Sequence, residues 1–477
     1  MPTEVNLVGF DIGTTTTSAI VASAQLAHNS VTGRTEITSV NERYRSEMIF
    51  TPRRDDGLDV DALGSYLDDC LAAGRVGPEE IFGGGALLTG LAAQGAAAQA
   101  VVRLVKSRLR DALVATADDP CLESWLAFMG SSAALSRAHP NSPLVNLDIG
   151  GGTTNLALGV AGQVLRTGCL FVGARHVQVE PGSYRIAKLS RYARALFEHL
   201  GIPRRIGHAL TAGEVDAVLD FYMNLLEAEL EGAAQPTDDP LIQQHRQVAF
   251  QLPGDVSDPI VTVSGGVGEL VYAHLRGQPW PAVTRYGDLG IDLARRLVAS
   301  PKWAGHFRKF VPASAGRATV YGLLRYNTEV SGSTLFLPRA ESLPLADVPV
   351  LGTIAPESPA AHVDYLLGFA RRSPRGGAFR IELRGRDGDL IRDLGRRMAG
   401  CLAAQAFPAE HPLVLLVSEN LGKVLGNYVT DWGAAALNLV VIDEIDVPNA
   451  EYVQIGRLRN QVVPVAFYGL REESPAV

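Results

Sequence analysis

Two short segments carry the residues best suited to chemistry. The run Leu7-Val8-Gly9-Phe10-Asp11-Ile12-Gly13-Thr14-Thr15-Thr16-Thr17 can be laid over Val145-Asn146-Leu147-Asp148-Ile149-Gly150-Gly151-Gly152-Thr153-Thr154, and Asp, Ile, Gly and both later Thr coincide at one constant offset. Each copy is an apolar run, an Asp-x-Gly, a cluster of small residues and a second β-prone run, the pattern of two strands joined by a tight turn. A tip of glycine and threonine presents successive backbone N–H groups with no bulky side chain in the way, and such a concavity binds phosphate oxygens. An aspartate repels phosphate, but just before the tip it can hold the water shell of a magnesium ion that binds phosphate. Two facing tips would grip a triphosphate from both sides. Gly13, Thr14, Thr15 and Thr16 would lie on one side and Gly150, Gly151, Gly152 and Thr153 on the other, with Asp11 and Asp148 as the metal-organising, catalytic carboxylates.

A third glycine motif, Ser264-Gly265-Gly266-Val267-Gly268, follows the apolar run Ile260-Val261-Thr262-Val263. A strand end opening into a helix favours a nucleoside or phosphate near Gly265, Gly266 and Gly268. Taken singly, each Asp-x-Gly hairpin reads equally well as a plain tight turn, and the third motif reads better as one. Their order, and the internal similarity of the first two, favour a nucleotide site.

These tips need elements to hold them. After the first hairpin, residues 35–49 alternate like a third strand, and Val60, Leu63, Leu67 and Leu71 have helical spacing. Residues 81–102 contain no charge, but they are Ala- and Gly-rich. A strand, a turn at Gly83-Gly84-Gly85 and an alanine-rich helix over 96–115 suit them better than a membrane span. After the second hairpin, 162–179 reads as strand and 185–200 as helix. A further helix begins at Thr211, whose spacing to Glu214 fits a capping box. Residues 232–254 read as an exposed loop with a short helix. Beyond about residue 312 a new alternation of strands near 379–383, 413–417 and 437–442 with helices near 387–403 and 421–432 makes a further α/β unit. The expected architecture is therefore α/β: a first lobe over 1–140, a second over 141–311 and a C-terminal α/β unit over 312–477.

The chain as a whole sets limits. Its 477 residues are 47% apolar and 20% charged, as in soluble globular proteins, and a net charge of −8 argues against nucleic acid as a partner. The four cysteines, Cys70, Cys121, Cys169 and Cys401, lack C-x-x-C spacing, and no H-E-x-x-H or close His pair suggests zinc. With no basic n-region at the start, a reducing cytoplasm is expected. The basic run Arg103, Lys106, Arg108 and Arg110 reads as a solvated helix face.

The order Asp11-Ile12-Gly13-Thr14, Asp148-Ile149-Gly150-Gly151-Gly152-Thr153, Gly265-Gly266 resembles the two phosphate motifs and the adenosine motif of the actin-like ATPase superfamily, whose duplicated lobes are ribonuclease H-like. That resemblance implies that Asp11 and Asp148 organise magnesium and that the tips contact the phosphates of ATP or ADP. It also implies that Gly265 and Gly266 lie against the adenosine. The wording is closer still to one family, the ethanolamine ammonia-lyase reactivating proteins (EutA). Segments like Asn146 to Ala157, Tyr286 to Gly290, Arg317 to Val320, Val330 to Thr334 and Val441 to Ile445 extend that likeness over nearly the whole chain. It implies a molecular chaperone, a weak ATPase using magnesium, that releases damaged cobalamin from its partner lyase so that intact adenosylcobalamin can replace it. The expected setting is the cytoplasm, with a bacterial microcompartment and a homodimer left open. Two departures stand out: Asn155 replaces an Asp common in the superfamily, and the residues after Thr89-Gly90 are uncharged.

Three alternatives are weaker. A small-molecule kinase of the sugar-kinase type needs a carboxylate base in the first lobe, and residues 58–90 offer no convincing one. An actin-like scaffold does not call for the C-terminal unit. A radical-dehydratase activator needs cysteines for an iron–sulfur cluster.

Overall fold

The computed structural model of the chain describes residues 3–470, apart from 14–15, 30–33, 55–56, 89–95, 110–112, 116–119, 232–238, 255, 257, 327, 333 and 384–387. Thr14, Thr15, Arg110, the Thr89-Gly90 pair with 91–95, and the start of the 232–254 loop therefore lie outside the described residues.

The first sheet contains β1 (Thr3–Ile12), β2 (Thr16–His28), β3 (Thr35–Arg45), β4 (Ile81–Leu88) and β5 (Leu113–Ala115) in the order β3-β2-β1-β4-β5. The first three form an antiparallel meander, and β4 and β5 run parallel to β1. β1 is apolar and buried over Leu7 to Phe10 because both of its faces are covered there. Val8, Phe10 and Ile12 pack against Leu63 and Leu67 of the helix Val60–Ala73 and against Val101 and Val105 of the helix Ala96–Leu109. Val5 and Leu7 point the other way, onto Val320 and Leu324 of the helix Ala318–Arg325. The helix Val60–Ala73 starts where Asp59 accepts a hydrogen bond from the Ala62 N–H at 3.1 Å.

The expected turn at Gly83-Gly84-Gly85 is instead the buried interior of β4. Gly84 has φ +90°, and a Cβ there would lie 2.0 Å from the Val8 carbonyl oxygen; a Cβ on Gly83 would meet Thr328. The glycines admit Thr328, whose hydroxyl accepts from the Gly84 N–H at 3.0 Å.

The second sheet repeats the plan. β6 (Leu144–Ile149), β7 (Thr154–Val160) and β8 (Gln163–Leu170) form a meander, β10 (Ile260–Ser264) lies parallel beside β6, and β9 (Arg246–Val248) closes the far edge. Three expected elements are shorter. The strand 162–179 stops at Leu170, the helix 96–115 stops at Leu109, and 185–200 divides into a strand, Ile186–Leu189, and a helix, Arg191–His199, capped by Ser190. The capping box before the helix Ala212–Glu231 is formed, with Glu214 Oε2 accepting from the Thr211 N–H at 2.8 Å.

The two sheets are joined by helices that cross. The helix Pro120–Ser131 lays Phe128 against Leu144, Ala157 and Ile260 of the second sheet, whereas Ala318–Arg325, far later in the chain, returns to the first. They touch at glycines: a Cβ on Gly130 would sit 1.8 Å from the Ala318 oxygen, and one on Gly322 would sit 2.2 Å from the Leu126 oxygen.

The C-terminal sheet has β11 (Glu329–Val330), β12 (Leu345–Ile354), β13 (Gly377–Ile381), β14 (Pro412–Val417), β15 (Asn438–Ile442), β16 (Ala450–Ile455) and β17 (Pro464–Leu470), in the order β11-β17-β16-β12-β13-β14-β15. β12 to β15 are parallel and linked by the helices Ala360–Arg372, Gly388–Ala404 and Gly422–Val429. Lys106 of the first lobe bonds Asp347 at 3.1 Å and so ties this unit to it, and Tyr468 of the same sheet holds Asp347 in place.

Candidate nucleotide site

The duplicated segments are duplicate in geometry. In the first hairpin Asp11 pairs with Ser18 across the strands, and the Gly13 N–H donates to the Thr16 carbonyl at 2.9 Å. In the second, Asp148 pairs with Asn155, and the Gly150 N–H donates to the Thr153 carbonyl, also at 2.9 Å. Both tips border one cavity of about 90 Å³, together with Gly265 and Gly266 of the third motif. Remote placement of the two hairpins would have refuted a shared phosphate site; instead Asp11, Gly13, Thr16, Asp148 and Gly150 to Thr153 converge.

Each tip is braced from behind. The Thr51 hydroxyl donates to the Gly13 carbonyl at 2.7 Å, and the N–H groups of Ala174 and Arg175 donate to the carbonyls of Gly150 and Gly151 at 3.0 and 2.7 Å. Gly152 has open space where a Cβ would stand. Gly265 has φ +75°, and a Cβ there would lie 2.6 Å from the Ile149 oxygen, so only glycine allows the third motif to close on the second. Ser264 locks the two together, donating to Asp148 Oδ1 at 2.6 Å while accepting from Asn146 Nδ2 at 2.8 Å. Gly268 is turned inward against Val263 and does not border the cavity.

Electrostatics marks the cavity floor. Burial, and then repulsion from Asp148, pushes the Asp11 carboxyl up to about 7. Burial raises Asp148 to about 6 against the opposing Ser264 hydrogen bond. Among the described residues Asp11 Oδ1 has no hydrogen-bond partner, nor has the buried Asn155 Oδ1. Two adjacent carboxylates with an orphaned oxygen fit a hard divalent cation. No group of three or more His, Cys, Asp or Glu among the described residues could hold a metal. A cation there would have only these two protein carboxylates at hand and would need other oxygen ligands.

A second, larger cavity of about 450 Å³ adjoins the first through Thr16, Met48, Gly150, Gly151 and Gly266. Its walls are mostly apolar and aromatic, with Glu269, Gln278 and Asp288 among them. His274 stacks on Trp280 with ring centroids 4.2 Å apart, and Pro279, Pro281 and Tyr286 line it as well. A nucleoside suits this chamber as phosphate suits the other. Asp288 also lines it, accepting from the Gly290 N–H at 2.9 Å as a turn cap. Glu180 borders neither chamber and lies 3.5 Å from Arg185. In the basic run, expected as a solvated face, Arg108 pairs with Asp68 at 3.0 Å at the surface, but Lys106 makes the half-buried pair with Asp347 between units.

The phosphate chamber also contains residues the motifs did not announce: Ser18, Glu123, Arg317 and Thr319. Glu123 comes from one crossing helix, and Arg317 and Thr319 come from the start of the other. Only the Arg317 segment carried a signal, as one of the stretches resembling the reactivating proteins.

Meander-plus-parallel sheets in duplicate, with paired Asp-x-Gly hairpins facing across a cleft, define an actin-like fold. Within that class, the chain belongs to the ethanolamine utilisation protein EutA family, whose model matches residues 3–470. It is 29% identical to the ethanolamine ammonia-lyase reactivase EutA of Escherichia coli K12 and 31% identical to the protein of that name from Salmonella typhimurium LT2, each over 97% of both chains. An exopolyphosphatase from Cytophaga hutchinsonii is similar over 67% of this chain and 96% of its own, at 12% identity and a TM-score of 0.36. Among the described residues no helix is long and apolar enough to cross a membrane.

Proposed function

We propose that the chain is an ATP-dependent reactivase of adenosylcobalamin-dependent ethanolamine ammonia-lyase, releasing damaged cobalamin so that intact cofactor can bind. The observation that carries this reading is the convergence of both Asp-x-Gly hairpins and the Gly265-Gly266 turn on one cleft in a member of the reactivase family. Family membership does not favour the small-molecule kinase or the scaffold.

In this reading the nucleoside lies along the Trp280 chamber, and the phosphates lie between Gly13 and Thr16 on one side and Gly150 to Thr153 on the other. Asp11 and Asp148 are the residues that would hold a magnesium ion, which when bound would supply neutralisation of phosphate charge. Glu123 accepts the proton of the attacking water as oxygen bonds to the terminal phosphorus and the bond to ADP breaks. Asn155, being neutral, cannot share that task, so turnover is slow. Closure of the lobes about the Gly130–Gly322 crossing differs between the ATP and ADP states, and a difference in affinity for damaged lyase converts the cycle into cofactor release. The partner is the lyase, and the setting is the cytoplasm or a microcompartment within it.

The test is recovery of deaminating activity when the purified chain, ATP, magnesium and adenosylcobalamin are added to lyase inactivated with cyanocobalamin. ATP-dependent recovery is expected. No recovery with a proven lyase would overturn the proposal.

A further inference from the structure

Arg317 is a cation at the edge of the smaller chamber, and no ion pair ties it to an acid among the described residues. Its Nη2 donates to the Ser46 carbonyl at 2.6 Å, and its Nη1 is buried with no hydrogen-bond partner among the described residues. Ser46 is itself fixed to the first lobe: its hydroxyl accepts from the Ala19 N–H at 2.9 Å and from the Tyr66 hydroxyl at 2.7 Å. Burial lowers the proton affinity of the guanidinium, Arg45 repels it, and Glu269 attracts it. An unsatisfied buried N–H on a charged group costs free energy that nothing in the protein returns. Such a group persists where a ligand completes it.

The surroundings say what that ligand is. Arg317 borders the small chamber that holds Asp11, Asp148 and the Gly150 to Thr153 tip, and it does not border the chamber of Trp280. It shares its chamber with Glu123, the carboxylate that serves the reacting phosphoryl group in the reading above. Residue 317 immediately precedes the helix Ala318–Arg325, so the positive end of that helix adds to its field. A guanidinium with one edge committed to a carbonyl and the other free is matched by a phosphate oxygen.

Resting on the nucleotide-site reading, we propose that Arg317 binds the terminal phosphate of the nucleotide and thereby reports its presence to the crossing helices. One edge of the guanidinium grips the first lobe at Ser46, and its backbone opens the helix that meets Pro120–Ser131 at Gly130 and Gly322. A phosphate on the free edge tightens this connection. Its loss on hydrolysis releases the connection, so the ATP and ADP states differ at the point where the lobes cross.

The experiment measures affinities of the full chain for ATP, ADP and AMP with magnesium, by calorimetry, in the native protein and in Arg317→Gln and Arg317→Lys. Arg317→Gln weakens ATP about tenfold or more, weakens ADP by about threefold or less and leaves AMP unchanged. Arg317→Lys, which keeps the charge but not the fork, falls between. Without nucleotide, the melting temperature of Arg317→Gln should equal or exceed that of the native chain, since an unpaired buried charge is gone. Equal losses for all three nucleotides, or no loss for ATP, would overturn the role of Arg317 while leaving the nucleotide site standing. Failure of the native chain to bind ATP would remove both.

Discussion

Asp11 and Asp148 repel each other from opposite hairpins, and each is kept from water, so both hold protons at higher pH than a free carboxyl. Raised folded-state values mean that the folded chain binds more protons than the unfolded chain between about pH 4 and pH 7. The metal-free protein should therefore lose stability as pH rises through that window, to the full extent above about 7. Melting temperatures at pH 5 and pH 8 should differ less in Asp11→Asn than in the native chain, and an unchanged difference would contradict the electrostatic account. These carboxylates were legible in the sequence because an Asp-x-Gly before a tip of small residues is a local pattern, and its repetition made chance a poor explanation. Glu123 and Arg317 were not legible as site residues. They reach the chamber only because helices far apart in the chain cross beside it, and no local spacing encodes that meeting.

At the scale of elements, the crossing is held by two glycines whose missing side chains are filled by backbone. Gly322→Ala would drive a methyl against the Leu126 carbonyl and should destabilise the chain by about 1–3 kcal/mol, read as a shift of the urea midpoint. Gly152→Ala, where a Cβ meets nothing within 4 Å, should leave stability within about 0.5 kcal/mol and serves as the control. Helices with strong caps and periodicity, such as Val60–Ala73 and the one after Thr211, were readable from the chain. The Gly83 to Gly85 strand was not, because those glycines answer to Thr328, a contact made across most of the sequence. The helix expected over 185–200 was overextended for a related reason. Ser190 caps a later start, while the residues before it pair with Val177–Val179.

At the scale of the molecule, two sheets of one plan face a shared cleft, and a third is fastened to the first lobe by Lys106 on Asp347 and by Arg34 on Asp446. The duplication was visible in the sequence. The exchange of helices between the two halves was not, since each helix packs against the sheet that a simple reading by position would not have assigned to it. This exchange gives the cleft its mechanical meaning: a change between the tips acts on both crossing helices and so on the angle between the lobes. The most direct measurement of that account is the amount of cobalamin released from cyanocobalamin-inactivated lyase, separated by filtration, with native chain and with Asp148→Ala. The account predicts ATP-dependent release by the native chain. It also predicts little release by Asp148→Ala, whose magnesium-dependent ATP affinity should be at least about tenfold weaker, or about 1.4 kcal/mol. Equal release by the two proteins, at an ATP concentration that saturates only the native one, would contradict it.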